Sequence, residues 1–279
     1  MPERRLDLAS DLIVLRADNP GPMTLDGTRS YVLGRERLVI FDPGPDRTGQ
    51  LDTLAEIVDG REVVLVLLTH SHADHSGAAA AAASRFGAEL GASADTLARL
   101  EPGSGGRPLE DGEVLTPEPG SSVTVIHAPG HSADHVCYLA EPGRRLFAGD
   151  LVLGQGSSAV LHPDGRVADC LASLARLIAL RPGLLLPGHG PPVEAAMPRL
   201  EEYRRHRLER ERQVRAAVEA GARTVPEIRE TVYGRLPPGL TWAANASVAA
   251  HLAALAERGE RVPDYVAWGA DEEDATVRG

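Results

Sequence analysis

The chain has 279 residues, 43% of them hydrophobic and 25% charged, a composition that excludes a disordered or fibrous protein. Its formal net charge of −11, with arginine as the only basic residue besides histidine, disfavours broad contact with nucleic acid or anionic lipid. The two cysteines, Cys137 and Cys170, are too few and too far apart in the sequence to form a disulfide framework or a CxxC metal-binding motif. The longest apolar run, residues 63–68, is far shorter than the ~18 residues of a membrane helix. With no signal peptide recognised, we expect a cytoplasmic protein without a membrane partner.

The first two thirds of the chain alternate between predicted strands and helices. Residues 63–68 form a continuous apolar run, which is typical of a strand covered on both faces. The other predicted strands are 12–15, 31–34, 38–41, 123–126, 136–139, 145–148 and 184–186, and the predicted helices are 46–58, 78–83 and 167–180. This mixture predicts an α/β (α+β) architecture in which helices cover the sheets.

Near residue 198 the alternation of predicted strands and helices ends. Predicted helices at 200–220, 225–232 and 241–258 are followed by Gly259, which is expected to end the third helix. Residues 261–268 are compatible with a short hairpin arm. Three helices and a β arm are typical of a small winged helix-turn-helix module. The acidic tail, residues 269–279, is expected to be disordered.

Histidines and aspartates cluster at the predicted carboxyl ends of strands. The segment directly after strand 63–68 places three histidines and one aspartate within six residues: His70, His72, Asp74 and His75. Three more candidates follow other predicted strands, each directly preceded by a glycine: His131, Asp150 and His189. Because sites in layered α/β folds form at the carboxyl ends of strands, we expect these seven side chains to converge. A single histidine of this kind would be an ordinary core or surface residue.

A set of five histidines and two aspartates without thiolates suits two Zn²⁺ ions, with iron or manganese as alternatives. The natural partition puts His70, His72 and His131 on one ion. The other ion takes Asp74, His75 and His189, and Asp150 bridges the pair. Two such ions share a hydroxide that attacks an electron-rich carbonyl or phosphoryl group, and Asp74 helps to orient it.

Several residues are secondary candidates. His135 lies four residues after His131 and is a candidate proton donor, although a supporting or solvated histidine explains it equally well. Ser157 and Ser158 lie in a glycine-flanked loop that either binds substrate oxygens or is a plain turn. In the Gly/Pro-rich loop at 19–28, the side chains expected to border the cleft include Asn19 and Thr28.

The motifs HSHADH at 70–75, PGH at 129–131, GD at 149–150 and GHG at 188–190 resemble the metallo-β-lactamase superfamily. The resemblance spans about residues 12–193. It implies a four-layer αββα sandwich with a dinuclear site along one edge, and the ligand roles given above carry over position by position.

A finer resemblance concerns residues 19–28, 129–135 and 153–158, which look like the lactamase-like protein 2 subgroup. That subgroup carries a C-terminal winged-helix domain and includes a mitochondrial endoribonuclease. The resemblance implies a catalytic domain at 1–198, a long helix with a winged-helix-like domain at 199–268, and self-association as a homodimer. It favours a phosphodiester of single-stranded RNA as the substrate.

Other functions stay open at this point. A thioester, as in glyoxalase II, or another small-molecule acyl compound is the alternative substrate, and a winged-helix nucleic-acid binder with an inert metal domain is an alternative of another class. An arginine-rich stretch at 204–215 is either a path for RNA or a solvated helix face. Because the first turns of the third C-terminal helix hold no arginine, sequence-specific DNA binding is not expected.

Overall fold

The structure is a computed structural model that describes residues 5–237, 239–265 and 268. The strands that it contains are β1 Arg5–Ala9, β2 Leu12–Arg16, β3 Arg29–Leu33, β4 Arg37–Phe41, β5 Glu62–Leu67, β6 Glu89–Ala92, β7 Arg107–Pro108, β8 Val114–Leu115, β9 Ser122–His127, β10 Val136–Glu141, β11 Arg145–Gly149 and β12 Leu184–Pro187. The helices are α1 Gln50–Val58, α2 Ala73–Ser76, α3 Ala79–Phe86, α4 Ala94–Arg99, α5 Val167–Leu180, α6 Ala196–Glu219, α7 Val225–Tyr233 and α8 Thr241–Glu257.

Two sheets carry these strands. In the described part of the chain, the first sheet has the order β1-β2-β3-β4-β5-β6-β7 and the second β12-β11-β10-β9-β8. The first sheet is antiparallel from β1 to β4 and parallel from β4 onward, and β11 pairs parallel with β12 in the second. Parallel pairing brings the carboxyl ends of neighbouring strands to the same end of a sheet.

The inner faces of the two sheets pack against each other. Four aromatic residues meet there: the rings of Phe41 and Phe147 stack at 3.7 Å, Tyr31 contacts Phe147 edge-on, and Tyr138 contacts Phe41 at a tilt. Helices α1 and α3 cover the outer face of the first sheet, and α5 and the first half of α6 cover that of the second. The predicted mixed α/β architecture, with helices outside two sheets, is therefore confirmed.

The boundaries of the main elements agree with the sequence analysis to within a few residues, with informative exceptions. Helix α1 begins at Gln50 and not at residue 46, because Gly49 before it adopts a left-handed conformation (φ 83°) that a helix cannot contain. Strands β1, β6, β7 and β8 were not predicted: β6, β7 and β8 have four residues or fewer, and β1, β7 and β8 lie at the outer ends of the sheets.

The C-terminal region contains the three expected helices, and α8 ends at the expected place, with Gly259 at φ 81° just beyond it. The β arm of a winged helix is not confirmed: residues 261–265 carry no strand, and residues 266–267 lie outside the described chain. The expected disordered tail, residues 269–279, also lies outside it.

Helix α8 is central to this region. Residues 243–252 are all buried, so the middle of α8 packs against its neighbours and presents no outward recognition face. Within the described ranges, no helix combines the length and the hydropathy that crossing a bilayer requires.

Candidate metal centre

The seven predicted ligand residues meet at one end of the sandwich. Those of the first sheet lie just after β5, where His70 and His72 are in the extended chain and Asp74 and His75 are on the single turn α2. Those of the second sheet follow its strands: His131 lies between β9 and β10, Asp150 directly after β11, and His189 just after β12. Segments more than a hundred residues apart thus contribute to one cluster.

Three imidazoles form the first group. Nδ1 of His72 lies 2.9 Å from Nε2 of His70 and 3.1 Å from Nε2 of His131. His70 and His131 are buried, whereas His72 is exposed and marks the solvent side of the group. One cation can be reached by all three nitrogens.

The second group combines Asp74, His75 and His189. Oδ2 of Asp74 lies 3.2 Å from Nε2 of His189 and 3.4 Å from Nε2 of His75. The carboxylate of Asp150 lies between the two groups: its Oδ1 is 3.4 Å from Nε2 of His75, and its Oδ2 is 3.2 Å from Nε2 of His189 and 3.8 Å from Nε2 of His131. This is the position that a bridging ligand would occupy.

The donor set fits two divalent cations. Imidazole nitrogens approach one another to 2.9–3.4 Å, so their lone pairs converge on shared points where a cation or a proton is required. Oδ1 of Asp150 is buried and accepts no hydrogen bond, and its neighbour Nε2 of His75 is 3.4 Å away; a charged oxygen in this position is costly unless a cation lies close to it. Nitrogen and carboxylate ligands without sulfur are compatible with zinc, iron or manganese.

The electrostatics of the two groups differ. Burial and the surrounding imidazoles hold the pKa of His70 well below its ordinary value, and burial lowers the pKa of His131 to about 4. Burial also acts on His189, but the carboxylates of Asp150 and Asp74 outweigh it and raise its pKa to about 9. In the first group His70 and His131 are therefore neutral donors, and the second group is held together by carboxylate–imidazole attraction.

The outward-facing nitrogens of the imidazoles are held by a second layer of acceptors. Nδ1 of His131 lies 2.9 Å from the carbonyl oxygen of Ala159, and Nδ1 of His189 lies 3.4 Å from that of Gly27. Such contacts fix the tautomer and leave Nε2 free to bind a cation.

Asp42 is a functional residue that the sequence analysis missed. Its Oδ2 lies 2.9 Å from Nδ1 of His75 and accepts a hydrogen bond of 2.7 Å from the hydroxyl of Thr69, whose oxygen is 2.9 Å from Nδ1 of His70. The available signal was its position directly after the apolar strand β4, in the same relation to its strand as Asp150. Asp42 thus orients imidazoles of both groups.

Glycines before the ligands are required by close packing. A Cβ atom on Gly188 would lie 2.3 Å from Oδ1 of Asp150 and 2.6 Å from Cε1 of His75. Gly149 has a φ of 47°, and a Cβ there would lie 2.6 Å from Nε2 of His135. The backbone of these two turns therefore touches the ligand side chains directly.

His135 lies beneath the cluster. It is 1% exposed, and its Nε2 accepts a hydrogen bond of 3.1 Å from the backbone N–H of Asp150. Burial lowers its pKa to about 3. This placement favours support of the Asp150 turn over donation of a proton to a substrate.

Asn19 and Thr28 form a relay to the second group. The side-chain amide of Asn19 donates to the hydroxyl of Thr28 at 2.9 Å, and that hydroxyl donates to Oδ2 of Asp74 at 2.8 Å. Thr28 is fully buried. Both residues therefore position a ligand carboxylate, and Thr28 has no surface to offer a substrate.

The loop of residues 153–159 is fixed to α6. The phenol oxygen of Tyr203 accepts hydrogen bonds from the backbone N–H groups of Leu153 (2.8 Å) and Ser158 (3.1 Å). The guanidinium of Arg199 donates to the carbonyl of Leu153, and that of Arg207 to the carbonyl and hydroxyl oxygens of Ser158. Ser158 is therefore buried, and its polar atoms already form hydrogen bonds with Tyr203 and Arg207.

Ser157, in the same loop, is exposed, and its hydroxyl lies 3.4 Å from Nδ1 of His206. Of the two predicted serines, it is therefore the one placed to meet a ligand.

Several arginines of the arginine-rich stretch of α6 form hydrogen bonds or ion pairs with other residues of the protein. Arg207 is buried against the 153–159 loop, and Arg210 donates to the carbonyl of Val232 and lies over the ring of Tyr233. Two further arginines form ion pairs, Arg212 with Glu209 and Arg215 with Glu260. Of the stretch, Arg204, Arg205 and the ion-paired Arg212 lie exposed on the helix surface.

Comparison with known sequences agrees with this geometry. Residues 23–189 match the family profile described as "Metallo-beta-lactamase superfamily". The lactamase-like protein nscB of Arthroderma benhamiae is 34% identical over 83% of the chain and 54% of its own length, so the chain spans about half of that relative. The atrochrysone carboxyl ACP thioesterase of Aspergillus fumigatus is 32% identical over 83% of the chain and 76% of its own length.

Solved structures share the fold. A metallo-beta-lactamase family protein from Thermus thermophilus has a TM-score of 0.75 at 24% identity and covers 91% of this chain and 95% of its own. Another protein, solved in a di-iron-bound form, has a TM-score of 0.54 at 28% identity and covers 66% of this chain and 96% of its own. The donor set, the profile match and these relatives lead to one conclusion: the chain belongs to the metallo-beta-lactamase superfamily and is a hydrolase of that superfamily.

Proposed function

We propose that this chain hydrolyses thioesters at a dinuclear metal centre. The observation that carries the proposal is the match to the Aspergillus fumigatus thioesterase, which covers 83% of the chain. The residues before α6 make up less than this fraction of the chain, so the aligned region includes part of the C-terminal helices.

Two bound divalent ions, zinc, iron or manganese, would supply a hydroxide at neutral pH and polarise the carbonyl oxygen. His70, His72 and His131 would hold one of them, and Asp74, His75 and His189 would hold the other, with Asp150 between the two groups. The hydroxyl of Thr28 donates a hydrogen bond to one oxygen of Asp74, and the remaining lone pairs of that carboxylate can accept a hydrogen bond from the nucleophile and orient it.

The leaving group explains why a thioester suits this site. Oxygen adds to the carbonyl carbon, the C–S bond breaks, and the products are a carboxylic acid and a thiol. A thiolate leaves readily because thiols have a pKa of about 8.5, whereas an alkoxide or amide needs a positioned acid. The candidate acid, His135, is buried and engaged with the Asp150 amide, so the site is better matched to a sulfur leaving group.

An RNA phosphodiester, which the sequence favours through its subgroup resemblance, receives less support. The arginines on α6 that would form a path for the backbone are largely paired within the protein. Neither relative described above is named for an RNA substrate.

The test is incubation of metal-loaded protein with acyl-pantetheine thioesters and, separately, with single-stranded RNA. We expect thiol release that depends on bound metal and is abolished in Asp150→Ala, while RNA stays intact. Cleavage of RNA with intact thioesters, lost in the same variant, would show the proposal to be wrong.

A further inference from the structure

A cleft of about 330 Å³ lies between the C-terminal helices and two loops of the catalytic core. One wall comes from the C-terminal region, including Leu236, Leu240 and Ala244. The opposite wall comes from the loop at 22–25, including Met23, and from the 153–159 loop. Its volume falls within the range of roughly 300–1,000 Å³ that is usual for small-molecule sites.

The cleft adjoins the metal centre on both sides. Ala159 lines it, and the carbonyl oxygen of that residue lies 2.9 Å from Nδ1 of His131. Leu25 also lines it, two residues before Gly27, whose carbonyl oxygen faces Nδ1 of His189. The cleft therefore touches Ala159, which contacts the His131 imidazole directly, and a segment two residues from the carbonyl that contacts the His189 imidazole.

The chemistry of the cleft is mainly apolar. The two arginines at its wall each make hydrogen bonds inside the protein, Arg207 through Nη2 to Ser158 and Arg210 through Nη1 to Val232 and Gln213, while the Nε of each is buried without a hydrogen-bond partner. The guanidinium of Arg210 also lies over the ring of Tyr233, 4.1 Å from its centroid. Leu, Met, Ala and Tyr side chains supply most of the remaining lining, with polar groups such as Ser157 and His206 at the 153–159 loop and α6.

We propose that this cleft binds the apolar acyl group of the substrate and so selects acyl chain length. The inference rests on the proposed thioesterase function, because it assigns the hydrocarbon part of the same substrate. An acyl chain in the cleft would leave its thioester carbonyl at the adjoining metal pair, and the thiol portion would extend toward the exposed side at His72.

The test compares decanoyl-pantetheine with acetyl-pantetheine as substrates. Ala244→Leu fills the cleft and should lower the ratio of kcat/KM for decanoyl over acetyl substrate roughly tenfold, since steric changes of this size in a hydrophobic pocket have effects of that order. The matched control is Ala253→Leu on the same helix, outside this cleft, which should leave the ratio as in the wild type. An equal loss for both substrates in Ala244→Leu, or an unchanged ratio, would overturn the inference.

A binding measurement separates this inference from the proposed function. Titration calorimetry should show decanoate binding to the metal-loaded wild type, weakened severalfold by Met23→Ala, a change outside the helix bundle that covers the case in which Ala244→Leu does not fold. Decanoate binding with this variant effect, but without thioester hydrolysis, would refute the catalytic proposal and support the cleft. Hydrolysis of both thioesters without decanoate binding would refute the cleft alone.

Discussion

The hydroxyl of Tyr203 offers a direct test of whether α6 positions the metal centre. In Tyr203→Phe, the backbone N–H groups of Leu153 and Ser158 lose their common acceptor. Tyr203 is 2% exposed and both loop residues are buried, so neither donor gains water without movement of the loop. The same loop carries Ala159, whose carbonyl orients His131.

The magnitude follows from these contacts. Leaving a buried donor unsatisfied costs about 1–3 kcal/mol, so two donors set a ceiling of about 6 kcal/mol. Since Gly156 in the middle of the loop is exposed, the loop can shift toward solvent, and we expect a loss of about 2 kcal/mol in the free energy of unfolding. The loosened carbonyl of Ala159 should weaken metal binding about 10–100-fold, as is usual when a ligand histidine loses its orienting partner.

The assay is chelator competition for metal affinity, together with denaturant unfolding of the metal-free protein. Tyr233→Phe is the control, because its hydroxyl lies 3.3 Å from that of Ser247 and makes no hydrogen bond to the loop. If Tyr203→Phe unfolds more easily but binds metal as tightly as the wild type, the loop stabilises the fold without orienting His131, and the reasoning above is wrong.

Two further predictions concern buried polar groups. Asp42→Asn removes the charge beside Nδ1 of His75 and should weaken metal binding about 10–100-fold in chelator competition; unchanged affinity would mean that Asp42 does not orient this ligand. His251 is fully buried, and burial with Arg207 and Arg210 nearby lowers its pKa to about 3. Its unfolded form is protonated below about pH 6.5, so it lowers stability as pH falls from there toward 3. His251→Leu should therefore recover about 2 kcal/mol of the stability that the wild type loses between pH 7.5 and 5 in denaturant titrations, and identical pH slopes would contradict this.

The sequence was most informative where a side chain and a strand end coincide. The cluster at 70–75 follows an apolar run, and Asp150 and His189 follow strands with a glycine before each, so the convergence of these residues followed from α/β topology. Asp42 also directly follows a strand, but its segment contains no histidine that would have marked it as a candidate.

Other parts of the site cannot be recognised from a single sequence. The carbonyls of Gly27 and Ala159 orient two imidazoles, and a backbone carbonyl is common to every residue type. The role of Tyr203 depends on how α6 docks onto a loop more than forty residues earlier in the chain. The expected β arm at 261–268 is not confirmed: helix count and spacing resembled a winged helix, but residues 261–265 form no strand and residues 266–267 lie outside the described chain.

The origin of the ligands has a consequence for the sandwich as a whole. Each cation position draws on the segment after β5 in one sheet and on the turns after β9, β11 or β12 in the other. An ion bound at either position would link the two sheets at that end. The interior there is polar, so apolar packing stabilises it little. Free metal at a hundred times its dissociation constant would add about 2.7 kcal/mol per site to the folded state, so for this protein catalytic competence and resistance to unfolding rise and fall with the same cations.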